Sequence, residues 1–309
     1  MAKTASRDAW GRTLVELGAE RDFNVLTADL ADSVRVEWFK KEYPDRFYEC
    51  GIAEANMIGV AAGIASTGKK AVVSGFAMFV AGRAYDQIRN SVAYSALPVV
   101  IGATHAGISV GEDGPTHQCC EDIALMRVIP GMTVLSPSDA KETALCVRAA
   151  MDHNSPVYIR LSRYPVEDTT PDDYSFEIGK GVVLKDGTDV TIVATGITVE
   201  QAAAAGKLLE EKGISAAVIN IHTIKPLDAE LIGEYAKKTG KIITVEEHSV
   251  IGGLGSAVAE ALSESGCGAK LCRMGLNDTF GTSGKAADVI EYFGLTAPHI
   301  VKKAEEMLA

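Results

Sequence analysis

The sequence predicts two α/β domains, the first with a mostly parallel β-sheet and the second smaller. Short apolar runs typical of strands alternate with helical patterns along the whole chain. Such alternation is typical of βαβ units around a parallel sheet. The length of 309 residues suits two domains of ordinary size. A segment rich in proline and acidic residues, 164–181, separates the halves. We therefore expect a first domain at 1–168, a linker at 169–180 and a second domain at 181–309.

Composition and charge exclude several classes of function. With 47% hydrophobic and 23% charged residues, the composition is that of a globular protein. A formal net charge of −11 argues against nucleic acid as a partner, because phosphate backbones need a basic surface. No apolar run approaches the ~20 residues of a membrane span, and the N-terminus lacks the apolar core of a secretion signal. The six cysteines show no metal-binding spacing, so we expect free thiols, no metal site on this chain and a cytoplasmic location.

The elements follow one another in a regular order. In the first half we expect a helix at 4–20 capped by Thr4 or Ser6, a strand at 24–30, a short helix at Trp38 and Phe39, a strand at 46–50, a helix after Gly51, a strand at 69–76, a helix at 81–94, a strand at 97–105, a helix at 121–127, a strand at 132–138, a helix at 139–151 and a strand at 156–163. In the second half we expect a strand at 189–196, a helix ending at 212, a strand at 215–224, a helix at 227–238, a strand at 241–249, a helix at 252–263 and a strand at 269–276.

The helix after Gly51 is apolar on nearly every side and is therefore expected to be buried. Glu54 is a carboxylate in its first turn. A buried carboxylate is costly unless it is hydrogen-bonded. Glu54 either caps its own helix, where the dipole favours an anion, or points into a cleft and is kept for chemistry.

Useful side chains cluster at the expected ends of strands. They are Asp29, Glu54, Phe76, His105 and Arg163. In parallel sheets ligands bind beyond the carboxyl ends of the strands, so this edge is the expected site.

The loop 104–118, THAGISVGEDGPTHQ, is the richest stretch. His105 and His117 lie at its two ends, where they could converge on an anionic ligand. Arg163 adds a fork of donors suited to phosphate, and Arg7 is either a second such donor or a solvated charge. Phe76 and Phe79 either pack in the core or form an apolar slot for a flat ring.

These motifs occur in an order that resembles a known family. GIAEANM, GFAMF, THAGISVGEDGPTHQ and LSRYP resemble the pyrimidine-binding domain of transketolases, which are thiamine diphosphate enzymes. TIKPLD and EEHSVIGGLGSAV resemble the C-terminal domain of the same family. The resemblance covers essentially the whole chain.

The resemblance implies a role for each candidate residue. Glu54 takes the position of the glutamate that hydrogen-bonds N1′ of the aminopyrimidine ring and so activates the cofactor. For the cofactor, the resemblance implies an aromatic wall against that ring at Phe79 and Phe76 and a thiamine contact at Asp29. For the sugar, it implies phosphate contacts at Ser33, His105, Arg163 and Arg7. It also implies that Asp113 and His117 contact the ketose hydroxyls and carbonyl, with His117 as a second catalytic residue.

The sequence also departs from the family pattern. A third aromatic residue of the family falls on Gly82, which leaves that wall open or filled by Tyr85. The family holds diphosphate and Mg²⁺ through a GDG motif followed by an asparagine, and KDGTD and EDG do not fit it. The resemblance therefore implies half of a split enzyme, with Mg²⁺ and diphosphate bound by an N-terminal α subunit in an α₂β₂ assembly.

Several alternatives remain open. RAYDQ (83–87) resembles deoxyxylulose phosphate synthases, although those usually carry arginine in place of His105. The β subunit of a 2-oxo acid dehydrogenase would need no phosphate cluster. A non-catalytic partner subunit is the alternative that is not an enzyme. The turn GGLGS is a weak match to dinucleotide-binding loops and is equally explained as a tight strand-to-helix turn. The donor and acceptor sugars are left open.

Overall fold

The computed structural model describes residues 3–309 and confirms the predicted α/β class with mostly parallel sheets. The strands are β1 Thr4–Ala5, β2 Phe23–Thr27, β3 Phe47–Glu49, β4 Lys70–Phe76, β5 Val99–Thr104, β6 Thr133–Leu135, β7 Val157–Arg160, β8 Pro165–Val166, β9 Val182–Lys185, β10 Val190–Ala194, β11 Ala216–Asn220, β12 Thr223–Lys225, β13 Lys241–Ser249 and β14 Lys270–Leu276. The helices are α1 Ser6–Glu20, α2 Glu37–Glu42, α3 Glu54–Ser66, α4 Tyr85–Gln87, α5 Asp122–Arg127, α6 Ala140–Asp152, α7 Thr198–Glu211, α8 Ala229–Thr239, α9 Leu254–Glu264, α10 Ala286–Tyr292 and α11 Ala297–Leu308.

The strands form two large sheets. The first has the order β12-β6-β7-β5-β4-β2-β3 and is parallel except for β12, which runs antiparallel to β6. The second has the order β14-β13-β10-β11-β9 and is parallel except for β9. A small antiparallel pair joins β1 to β8. The expected domain and linker limits stay predictions, and we refer below to residues 3–168 as the N-terminal region and to residues 181–309 as the C-terminal region.

Buried apolar strands and helices hold the N-terminal region together. Every residue of β2 and β5 is buried, as expected of strands covered on both faces. Trp10 of α1 is fully buried, and its indole Nε1 donates a hydrogen bond of 3.1 Å to Ser74 Oγ in β4. This contact fixes α1 across the middle of the sheet. In residues 3–309 no helix is both long and apolar enough to cross a membrane.

The helix after Gly51 is buried only on one side, so that prediction is wrong. Its other face carries Asn56, Gly59, Val60 and Gly63, all exposed, and Ile52 just before it is 75% exposed. Among residues 3–309 nothing covers this face, although it carries few polar side chains.

Other expectations about elements also need correction. Neither Thr4 nor Ser6 caps α1, because its N-cap is Ala5, which makes no side-chain capping bond. The expected helix at 81–94 is interrupted, with π-helical segments at Met78–Arg83 and Ile88–Ala93 on either side of α4.

The expected strand at 215–224 is divided between the two sheets. Its first part is β11 in the second sheet, and β12, which begins at Thr223, pairs with β6 of the first sheet. The C-terminal region therefore contributes an edge strand to the N-terminal sheet.

Candidate active site

The candidate residues meet at the carboxyl edge of the first sheet. Phe76 is the last residue of β4 and lies opposite Thr104, the last residue of β5. His105 follows Thr104 directly and has a left-handed φ of 56°. Such a backbone angle is uncommon for a residue other than glycine and turns the chain sharply at the strand end. The parallel register thus brings Phe76 and His105 together.

Glu54 is a buried carboxylate at the start of α3. It is 1% exposed, yet no hydrogen bond from the backbone of its own helix reaches it. Its Oε2 instead accepts a hydrogen bond of 2.7 Å from Arg83 NH1, and the Arg83 side chain is 51% exposed. The capping interpretation of Glu54 is therefore wrong. The carboxylate faces the π-helical segment Met78–Arg83, at the border between the core and the surface.

Aromatic rings line the space next to this ion pair. The rings of Phe76 and Phe79 are stacked, with centroids 5.8 Å apart and an interplanar angle of 18°. The guanidinium of Arg83 lies 4.7 Å from the centroid of Phe79. His117 approaches Phe79 edge-on at 5.4 Å and Phe76 at 6.3 Å. Phe79 is partly exposed. A half-open aromatic wall therefore lies beside a buried carboxylate.

His105 continues the arrangement on the other side of Phe76, with ring centroids 3.8 Å apart. Its Nε2 lies 3.1 Å from Arg7 NH1. Because arginine carries only donors, Nε2 must accept this bond, which places the imidazole proton on Nδ1. Nδ1 then donates to Thr104 Oγ1 at 2.8 Å.

The charge state of His105 follows from the same surroundings. Burial, and then the charge of Arg7, lowers the pKa of His105 to about 3. His105 is consequently neutral at physiological pH. The positive charge next to His105 comes from Arg7, Arg163 and Arg35.

The arginines connect the remaining polar candidates. Arg7 NH1 donates to the backbone oxygen of Ser33 at 3.0 Å. Arg163 NH1 donates to Asp113 at 3.1 Å and also pairs with Glu112 at 3.8 Å. The side chain of Asp113 is 37% exposed, so this pair is accessible to solvent.

Asp29 is the candidate that the structure does not bring into contact with the others. It is exposed, has a φ of 59°, and its backbone N–H donates to Glu49 Oε1 at 2.7 Å. Within residues 3–309 no hydrogen bond or salt bridge joins it to another candidate. Glu49 also accepts from the N–H of Gly51, and thereby ties the end of β2 to the turn that precedes α3.

The wall next to Gly82 is closed in a way that we did not expect. A Cβ at Gly82 would collide with the terminal methyl group of Met78, so Met78 occupies the space beside this glycine. Tyr85 instead packs, half-buried, against the core that α3 and β4 share.

Arg83 and Glu49 are functional candidates that sequence reasoning missed. In the sequence, RAYDQ indicates only a resemblance to another family. The position of Arg83, four residues after Phe79, is the signal that could have indicated a contact with that ring and with the buried Glu54. Glu49 directly follows the apolar start of a strand, and no signal distinguishes it from an ordinary solvated residue.

The GGLGS turn is a strand-to-helix turn whose donors are already used. Leu254 N and Gly255 N donate to the two carboxylate oxygens of Glu246, at 2.7 and 2.8 Å. Burial, partly offset by these bonds, raises the pKa of Glu246 to about 7. Because this carboxylate occupies the start of α9, the amides of Leu254 and Gly255 are not available to a dinucleotide phosphate.

Comparison with known proteins agrees with this geometry. Residues 2–167 match the model of the transketolase pyrimidine binding domain, and residues 179–300 match the model of the transketolase C-terminal domain. The chain belongs to the transketolase family.

Relatives cover this chain almost completely. A Methanocaldococcus jannaschii protein named "Putative transketolase C-terminal section" is 49% identical over 97% of this chain and 95% of its own length. A 6-deoxy-6-sulfo-D-fructose transketolase subunit of a Clostridium species is 43% identical over 97% of this chain and 94% of its own length. A 1-deoxy-D-xylulose-5-phosphate synthase of Geobacter sulfurreducens is 38% identical over 97% of this chain but only 47% of its own length.

A solved structure shows the same fold. A split-gene transketolase, described as an inactive β4 tetramer, has a TM-score of 0.90 and 47% sequence identity, and the match covers 99% of each chain. The transketolase chain described here thus corresponds in length to the separate C-terminal section of a divided enzyme.

The residues of this transketolase chain fit part of a thiamine diphosphate site. A buried carboxylate with one engaged oxygen, next to a stacked aromatic pair, suits a flat nitrogen heterocycle. Within residues 3–309 there is no group of three or more histidine, cysteine, aspartate or glutamate side chains placed to hold a metal ion. The described residues thus fit the pyrimidine end of the cofactor and provide no metal cluster.

Proposed function

We propose that this chain is the C-terminal, or β, subunit of a split transketolase. The assembled enzyme transfers a two-carbon ketol unit from a ketose phosphate donor to an aldose acceptor. The observation that carries this proposal is the Glu54 carboxylate, which is 1% exposed and bonds not its own helix but Arg83, whose guanidinium lies over the half-open aromatic wall at Phe79.

Glu54 and the aromatic pair would hold the pyrimidine end of the cofactor. Thiamine diphosphate, when bound, supplies a thiazolium carbon that adds to a carbonyl and accepts its electron pair. Glu54 would hydrogen-bond N1′ of the aminopyrimidine ring, and Phe79 and Phe76 would pack against the face of that ring. Only Oε2 of Glu54 is engaged by Arg83, so Oε1 remains for the ring nitrogen. Asp29, at the edge of the arrangement, would contact the thiamine from the end of β2.

The remaining candidates would bind the sugar. Arg7 and Arg163 would neutralise the phosphate, with the hydroxyl of Ser33 as a donor beside it. The neutral imidazole of His105 would take part in this subsite by holding the Arg7 guanidinium in place through Nε2. Asp113 would accept from ketose hydroxyls. His117, edge-on to Phe79, would hold a proton at the substrate carbonyl oxygen. Arg163 pairs with Asp113, so binding a phosphate requires that this exposed pair be shared or opened.

A second polypeptide would complete the site. Mg²⁺ and the diphosphate would be bound by an N-terminal α subunit, in a cytoplasmic α₂β₂ assembly. The exposed apolar face of α3, which begins at Glu54, supports this proposal because it is a surface that a partner could cover beside the site. The six free cysteines are compatible with a reducing compartment. The related split-gene protein described as an inactive β4 tetramer also supports a requirement for the α subunit.

Reconstitution tests the proposal. The purified chain, the α subunit and their mixture are assayed for ketol transfer with thiamine diphosphate and Mg²⁺. Donors that carry a phosphate, a sulfonate or no anionic group are compared, because both arginines suit either anion. We expect activity only in the mixture, with phosphorylated donors preferred. Activity of this chain alone, or an inactive mixture that binds the cofactor normally, would contradict the proposal.

A further inference from the structure

The loop that carries the sugar-binding candidates, residues 105–118, is held against the C-terminal region. Three of its glycines have left-handed backbones: Gly107, Gly111 and Gly114, with φ of 77°, 79° and 75°. A Cβ at Gly107 would collide with the carboxylate of Glu247, and one at Gly114 with Ser283 Oγ. A Cβ at Gly111 would lie 3.1 Å from Gly284 O. Each glycine therefore allows a close approach of the C-terminal region.

Hydrogen bonds cross the same boundary. The backbone N–H of Ser109 donates to Glu247 Oε2 at 3.1 Å. The side-chain amide of Gln118 donates to Ile108 O within the loop, at 3.1 Å, and to Thr282 O of the C-terminal region, at 2.9 Å. The start of the loop and its end are thus both tied to the second half of the chain.

Glu247 is the charged member of these contacts. It is 1% exposed in β13 of the C-terminal region. Its Oε1 lies 3.6 Å from Arg160 NH1, and its backbone oxygen accepts from Arg160 NH2 at 3.0 Å. Arg160, at the end of β7, also donates to Asp122 at 3.0 Å. The charge of Arg160 and the bond from Ser109 stabilise the buried carboxylate, while its Oε1 has no hydrogen-bond partner within residues 3–309.

We propose that Glu247 is a positioning residue for sugar binding, acting through Ser109 on the loop that carries Asp113 and His117. The C-terminal region thereby positions the sugar-binding residues, although all of those residues lie in the N-terminal region. The proposal rests on the proposed function for its effect on catalysis, but the contact with the loop does not depend on it.

The test compares three variants in two measurements. Glu247→Ala removes the acceptor for Ser109 N–H, whereas Glu247→Gln retains one. Arg127→Ala is the matched control, because Arg127 bridges the two regions through Gly252 O at 2.8 Å and Glu260 Oε2 at 2.6 Å without contacting the loop. The first measurement is amide hydrogen exchange of residues 107–118 in the full chain, and the second is kcat/KM of the enzyme reconstituted with the α subunit.

We expect faster exchange of the loop amides in Glu247→Ala, a smaller change in Glu247→Gln and none in Arg127→Ala. In the reconstituted enzyme Glu247→Ala should lower kcat/KM by about 10–100-fold, the range typical of a misplaced binding group. Phosphorylated and free sugars should be affected alike, because Asp113 and His117, the loop residues on which Glu247 acts through Ser109, bind hydroxyls and a carbonyl. If Glu247→Ala does not fold, Glu247→Asp takes its place in both measurements and against the same control, because its shorter side chain draws the carboxylate away from Ser109 N–H.

Unchanged loop exchange in Glu247→Ala, or equal loop exchange in Glu247→Ala and Arg127→Ala, would overturn the proposal. An inactive reconstituted wild-type enzyme together with the expected exchange pattern would instead overturn the proposed function, and with it the role in sugar binding, while the ordering of the loop by Glu247 would stand.

Discussion

Replacing Arg83 with alanine tests the charge arrangement around Glu54. Glu54 Oε2 accepts from Arg83 at 2.7 Å, and the two side chains are 2% and 51% exposed. Arg83→Ala removes the only hydrogen-bond donor that the described residues offer to this carboxylate. The variant should therefore be less stable, because a buried charge is left without its partner.

The size of the effect follows from the exposures. Removing one member of a fully buried pair costs about 3–5 kcal/mol. Water reaches the half-exposed guanidinium and screens the pair, which reduces the expected loss to about 1–2 kcal/mol. The contact of Arg83 with the Phe79 ring, at 4.7 Å, adds about 0.5–1 kcal/mol. A double-mutant cycle with Glu54→Gln separates the two contributions, because only the ion pair requires Glu54.

Urea unfolding followed by tryptophan fluorescence is the assay. The two tryptophans, Trp10 and Trp38, both lie in the N-terminal region, so their signal reports the region that holds the pair. We expect a coupling free energy of about 1–2 kcal/mol between Arg83→Ala and Glu54→Gln. The stability of Arg83→Lys should lie between those of the wild type and Arg83→Ala, because lysine keeps the charge but lacks the planar guanidinium donors. A coupling energy below about 0.3 kcal/mol would show that Arg83 does not stabilise the Glu54 carboxylate.

Three further predictions concern charge and pH. Arg163→Ala should raise KM for phosphorylated sugars about tenfold or more, because it removes a charge-assisted hydrogen bond to the phosphate. KM for free sugars should rise much less. Equal increases in steady-state kinetics would show that Arg163 does not bind the phosphate. Burial raises the pKa of Glu142 to about 7, so the folded chain keeps a proton that the unfolded chain loses, and stability falls as pH rises from about 4.5 to 7. Glu142→Gln does not titrate at this position. The free energy of unfolding of the variant minus that of the wild type, measured by urea unfolding, should therefore increase by about 2–3 kcal/mol from pH 5 to pH 8. An equal difference at the two pH values would contradict this. His105, with its pKa lowered to about 3 by burial and then by the charge of Arg7, should remain neutral from pH 5 to 8 in ¹⁵N NMR spectra. Titration near its ordinary value would contradict its burial beside Arg7.

The pattern of apolar residues along the sequence predicted strands of the first sheet, because a strand is formed by residues that are neighbours in the sequence. Apolar runs and their spacing predicted the strands β2, β4 and β5, and the rule for parallel sheets predicted that Phe76 and His105 meet at one edge. Pattern did not predict that β12 leaves the second sheet to pair with β6, because that pairing joins residues far apart in sequence.

The errors about the site have a similar origin. The apolar face of α3 looks buried in the sequence because hydrophobicity does not say whether the covering surface belongs to the same chain. Gly59 and Gly63 on this face are exposed. Arg83 and Glu247 look like solvated charges, and only the fold places one beside Glu54 and the other beside Ser109.

Proton exchange at C2 of the thiazolium ring of bound thiamine diphosphate is the most direct test of the central claim. That claim is that Glu54 of this chain activates a cofactor whose diphosphate is held by the α subunit. In the reconstituted enzyme we expect Glu54→Gln to slow C2 exchange by about 10²–10⁴-fold relative to the wild type, the usual contribution of a positioned proton-transfer group. Equal exchange rates in the wild type and in Glu54→Gln, with the cofactor bound in both, would contradict the account.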